Sequence, residues 1–161
     1  MDLLQRAREL YRAGRMHDAL EAAQAACDRA PKDAEAWWLL ARVSRHIDLP
    51  AASDEAFRRA AQLSGRLSVP HRVSAERFRA LVEEARAALP EPARDRLAPT
   101  QIRAQPMPTA DQVRAGVDPD ALTLRERTPQ DVLVLFQVNH ENHSAGEDAL
   151  RALVARSLAR A

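Results

Sequence analysis

The stretch Leu10–Asp33, "LYRAGRMHDALEAAQAACDRAPKD", decides how the first part of the chain folds. Gly14, Ala19, Ala26 and Pro31 in this stretch are followed by Asp48, Ser53, Ala60 and Gly65 one step of about 34 residues later. A recurring period of that length marks a repeated supersecondary unit, so the pattern implies two copies of one helical hairpin. Each residue type has a mechanical reason. Ala19 and Ala26 let two helices approach closely, Gly14 stands where the chain turns between them, and Pro31 ends the second helix. Helices are expected at about 2–13, 17–30, 34–47 and 51–64, with Asp33 and Asp48 as cap or turn residues.

In the second copy Trp37, Leu40, Ala41, Phe57 and Ala60 take the large, leucine, small, aromatic and small positions. The first copy runs through Tyr11, Gly14, Ala19, Leu20, Ala26 and Pro31. In these residues the chain resembles the tetratricopeptide repeat (TPR) family. The second copy is the less typical, with Asp48 at the turn and Ser44 where a large residue is usual. The resemblance implies a protein-binding scaffold whose first helices line a concave face. Leu3, Arg6, Leu10, Trp38, Arg42 and Arg45 are the candidate partner-binding residues, the arginines being suited to carboxylate recognition. Two hairpins fall short of the three repeats that such stacks usually need, so an added element must cover the open end. The segment Ser74–Leu89, "SAERFRALVEEARAAL", carries Phe78, Leu81, Val82, Ala85 and Leu89 on one stripe and is expected either to cap the hairpins or to belong mainly to the second domain.

Composition narrows the function classes. The 161 residues are 46% hydrophobic and 29% charged, as in a globular protein with a core. The net charge is +1, divided evenly: residues 1–66 hold 11 basic and 10 acidic side chains, residues 67–161 hold 13 of each. Neither part is a basic nucleic-acid surface. No signal peptide and no membrane span is expected, which makes the cytoplasm the default compartment. Cys27, the sole cysteine, sits among Ala25, Ala26 and Ala30 and reads as a packing residue.

From Leu89 to Gln130 seven prolines exclude long helices and imply short strands joined by turns, one of them around Ile102 in "TQIRAQPMP". "DVLVLFQVN", Asp131–Asn139, reads as a strand apolar on both faces. A final amphipathic helix is expected at about 146–160, marked by Leu150, Leu153, Val154 and Leu158. The expected organisation is mainly α: hairpins over 1–66, a linker over 67–73, and a small α+β domain over 74–161 with few short strands.

The order of these elements, with "FRALVEEARAALPEPARDRL", "LVLFQ" and "GEDALRALVARSLARA", resembles the minimal zincin-like metallopeptidases of bacteria. In that family the last helix bears H-E-x-x-H, two histidines sharing one zinc and a glutamate acting as general base. With Val154 and Ser157 aligned to the family's apolar and hydroxyl positions, the first metal histidine falls at or just after Arg160, where this chain stops. The resemblance thus implies a zincin-like domain without its metal site, a pseudoenzyme with no catalytic residue, no metal ligand and no cofactor. The alternative is a zinc metallopeptidase whose H-E-x-x-H segment is missing through truncation or frameshift.

"NHENH", with His140, Glu141 and His143, superficially resembles a zinc motif, but its histidines stand at i and i+3, and the segment reads as exposed polar loop. Asp118, Asp120, Glu126 and Asp131 read as solvated loop carboxylates, Glu147 and Asp148 as favourable charge at a helix start, and His17, His46 and His71 as surface or turn residues. Without the outer supports of a complete zincin, the last helix is expected to pack on the rest of the chain or to make a homo- or hetero-oligomer contact, with Leu153→Asp disrupting it.

Overall fold

A computed structural model describes residues 2–161. In chain order the elements are α1 (Leu3–Arg12), α2 (Met16–Arg29), α3 (Ala34–His46), α4 (Pro50–Leu63), α5 (Ala75–Ala87), α6 (Glu91–Leu97), β1 (Gln101–Gln105), α7 (Ala110–Arg114), β2 (Thr123–Glu126), β3 (Val132–Phe136), α8 (Gln137–Asn142) and α9 (Glu147–Arg160). The fold is mainly helical with one small sheet. Among the described residues no helix is long and apolar enough to cross a membrane. The chain divides into two compact units, the first ending at Val69 but reclaiming Thr109–Pro119, the second made of Pro70–Pro108 and Asp120–Ala161.

The first unit is two helical hairpins, α1–α2 and α3–α4. Asp2 and Asp33 cap α1 and α3 by accepting the backbone N–H of Gln5 and Glu35. Pro50 opens α4 in its first turn, where its missing N–H costs no helix bond. The turns differ. Gly14 takes φ +79° after α1, whereas Asp48 takes φ +58° after α3, a conformation that aspartate tolerates better than most side chains. Ala7, Tyr11, Ala19, Ala23, Leu39 and Val43 form the core between the hairpins. Trp38, Ala41, Phe57 and Ala60 form a second cluster inside α3–α4, where the Ser53 hydroxyl donates to the Ala41 carbonyl at 2.7 Å.

Of the two places expected for the helix over 74–89, α5 takes the second and belongs to the second unit. Its apolar stripe, Phe78, Leu81, Val82 and Ala85, is core of the second unit. The first unit instead receives α7, a single turn secured by a reciprocal Thr109–Gln112 capping box, whose Val113 packs with Ala7 and Tyr11. Its approach is close. A Cβ on Gly14 would lie 2.9 Å from Arg114 Cγ and 3.3 Å from the Arg114 backbone nitrogen. Gly14→Ala therefore combines a left-handed φ with crowding and should destabilise the first unit by about 1–2 kcal/mol, measured as a lowered melting temperature.

In the second unit β3 is central, parallel to β1 and antiparallel to β2, with Ile102 beside Leu133, Ala104 beside Leu135 and Leu124 beside Val134. All five β3 residues are buried, as a strand apolar on both faces requires. Leu133 and Leu135 face a core made with α5, Leu97 and the Leu150, Val154 and Leu158 stripe of α9. Val132, Val134 and Phe136 face Ala121 and Leu124. Leu153 is only half-buried, so the contacts that hold α9 run through its three neighbours on the stripe.

Three expectations for this half need correction. The strand expected over Asp131–Asn139 ends at Phe136, because the chain then turns into α8. The Pro-rich segment holds the short helices α6 and α7 as well as strands, since Pro92 falls in the first turn of α6, where proline is compatible with a helix. The "NHENH" segment is not an exposed loop: Asn139, His140, Glu141 and Asn142 are helical and buried.

Candidate docking face and buried polar cluster

The first helices of the two hairpins, α1 and α3, place one cationic side chain in a defined setting. The guanidinium of Arg42 lies over the Tyr11 ring, 5.4 Å from its centroid, and its Nε donates to the Trp38 carbonyl at 3.3 Å. His46 meets the same Tyr11 ring edge-on at a centroid distance of 5.4 Å. A guanidinium stacked on an aromatic face loses rotational freedom, and the Arg42 side chain remains partly exposed to solvent. Tyr11 and His46 were not among the candidates drawn from the sequence. Their part depends on two helices one repeat apart being stacked, and spacing within either helix does not reveal it.

The six sequence candidates do not share one environment. Trp38 is buried and packs edge-to-face on Phe57 at 4.9 Å. Leu10 is half-buried against the core between the hairpins. Leu3 lies at the other end of α1, lining a groove of about 550 Å³ with Leu4, Ala26 and Arg29. Arg6 is exposed, and Arg42 and Arg45 are half-buried. The candidates thus divide into packing residues, Trp38 and Leu10, the groove-lining Leu3, and cationic residues that reach solvent.

The second unit contains a buried polar cluster built on α8. Glu141 is 2% exposed, and its carboxylate accepts from Arg72 Nη1 at 3.1 Å, the Val73 backbone N–H at 2.9 Å and Gln137 Nε2 at 3.1 Å. Beside it, His140 is fully buried. Its Nδ1 lies 2.8 Å from the Phe136 carbonyl and its Nε2 2.9 Å from Ser157 Oγ. A carbonyl can only accept, so the proton sits on Nδ1 and the Ser157 hydroxyl donates to Nε2. Burial holds the imidazole pKa down at about 4, the Phe136 carbonyl opposing and nearby His143 reinforcing the effect.

A serine hydroxyl bonded to an oriented histidine has the connectivity of a nucleophile and its base. Here both groups are enclosed, and the pair ties α8 to α9 instead. Other polar groups are similarly structural. Asp131, assigned to solvated loop on sequence, accepts Thr100 Oγ1 at 2.7 Å and Arg125 Nε and Nη2 at 3.0 and 2.8 Å, and these bonds hold its pKa down at about 2. The Cys27 thiol is buried and pushed up to about 11, which keeps it protonated and unreactive. Among the described residues no three His, Cys, Asp or Glu side chains are grouped to hold a metal ion.

Comparison with known proteins bears on the hairpins. Residues 2–43 match the family model described as tetratricopeptide repeat, covering α1, α2 and most of α3. Such repeats typically mediate the binding of protein partners. No curated protein and no solved structure matches the chain.

Proposed function

We propose that this protein is a non-catalytic interaction scaffold whose α1–α3 face receives a segment of a protein partner through a carboxylate. The observation that carries the reading is Arg42, stacked on Tyr11, flanked by His46 and still partly open to solvent. A charge-assisted contact from a preorganised guanidinium is stronger than one from a free surface arginine, because less side-chain entropy is lost on binding. Arg45, one position from His46, adds a second cation, and exposed Arg6 on α1 a third. Trp38 and Leu10 contribute by holding α3 and α1 in register.

For the second unit the reading is a zincin-like scaffold without a metal site. Its support is the arrangement of α5, the sheet and α9 about one core, with Val154 buried and Ser157 turned inward to His140. Partner capture from lysate with the full chain, repeated with R42A/R45A, tests the first part. The double variant should weaken the partner by about tenfold or more, the equivalent of roughly 1.4 kcal/mol. A double variant that retained every partner would remove this face from consideration, and stoichiometric zinc in the purified protein would overturn the second part.

A further inference from the structure

Along one side of the second unit, α5 and α9 leave a groove of about 750 Å³ between them. Ala85, Ala88 and Leu89 line it from α5 and the residues following it, and Ala152, Ala155 and Ala159 line it from α9. The five alanines make the groove concave, so a helix backbone can approach more closely than over a surface of leucine or phenylalanine. Charges stand on its rim. Asp148 is fully exposed near the start of α9, and exposed Arg156 lies about two turns further on, with Ala152 midway between them. Arg156 forms no ion pair among the described residues, while Asp148 has only a loose 3.5 Å pair with Arg151.

We propose that this groove is a self-association site in which α9 of a second copy of the chain lies antiparallel, giving a four-helix contact from two α5 and two α9 helices. The charge pattern selects this occupant and this direction. A two-fold axis at Ala152 sets Ala152 against its counterpart, and it brings Asp148 of each copy opposite Arg156 of the other. A parallel arrangement would oppose like charges at both places and align the two helix dipoles unfavourably. Glu84 and Arg151 pair across the groove at 3.5 Å, and Arg77 joins α5 to Glu147, so both helices are braced before a second copy arrives. The dimer carries two copies of the first unit and so links two docking events on a multivalent partner.

Sedimentation velocity of the full chain over the micromolar range should show a concentration-dependent dimer. Ala152→Glu places a charge at the axis and should abolish it, while Arg156→Asp should weaken it about tenfold. D148R/R156D exchanges both charges and should restore most of the lost affinity, a recovery that general surface charge would not produce. These residues are exposed, so each variant should keep the wild-type circular dichroism. A wild-type chain that stays monomeric, a dimer untouched by A152E, or a double exchange no tighter than R156D alone would each overturn the proposal.

Discussion

Glu141→Ala should destabilise the second unit by about 3 kcal/mol, one of the largest effects expected for a single substitution in this chain. The carboxylate takes three hydrogen bonds, from Arg72, the Val73 backbone and Gln137, and it is almost wholly excluded from water. Alanine would leave a backbone N–H without its acceptor, a guanidinium without its counter-charge and a small void. The side chain of Arg72 is 24% exposed, so water recovers part of the cation's solvation, which places the cost at the lower end of that for a fully buried pair. Glu141→Gln preserves volume but exchanges one acceptor oxygen for a donor facing Arg72, and should cost about 2 kcal/mol. R72M/E141L removes both charges and should recover much of the loss. The chain has two compact units, so the measurement should be local: native-state hydrogen exchange of the β3 and α8 amides. A change below about 1 kcal/mol for E141A would mean the cluster does not hold α8 in place.

The importance of Glu141 could not be read from its neighbours in sequence. "NHENH" is polar throughout, and a polar run beside a strand is ordinarily solvated, so burial there depends on groups supplied from elsewhere. Arg72 and Val73 come from 69 and 68 residues earlier, and Ser157 from 17 residues beyond His140. The hairpins present the opposite case. Their information is local and repeated: small residues where helices touch, a left-handed position at Gly14 and Asp48, and Asp33 before an apolar helix. The expected helices over 2–13, 17–30, 34–47 and 51–64 accordingly lie within two residues of α1 to α4 at every boundary. The short α7 could not be assigned to the first unit from sequence, because its single apolar anchor, Val113, acquires meaning only from packing with Ala7 and Tyr11.

The proposed docking face was partly legible for the same reason. Trp38, Arg42 and Arg45 recur at helical spacing on α3, and the arginines mark its polar side. What spacing could not supply was the distinction between Trp38, enclosed against Phe57, and Arg42, presented on Tyr11. That distinction arises between helices. It separates a residue enclosed within α3–α4 from one that reaches solvent.

Acidification should weaken the second unit through His140, with a pH window set by that side chain. The folded imidazole has a pKa of about 4 against an ordinary value of 6.5, because burial disfavours its charged form. Above pH 6.5 the group is neutral in both states and its environment costs nothing. As pH falls below 6.5 the unfolded chain takes up a proton that the folded chain refuses, so stability falls, and the loss is complete near pH 4, where both forms are charged. The full loss is about 3 kcal/mol. Protonation would also set an Nε2–H against Ser157 Oγ, forcing that hydroxyl to reverse its hydrogen bond inside a closed core. Asp131 acts in a separate window: its folded pKa is about 2, so its contribution persists until pH falls below its ordinary 3.8. The expected result is a difference between wild type and His140→Gln, whose unfolding free energies should diverge by about 3 kcal/mol between pH 6.5 and 4, the wild type falling more steeply. Parallel profiles for the two proteins would show that the imidazole is already solvated in the folded state, contrary to its enclosure between Phe136 and Ser157.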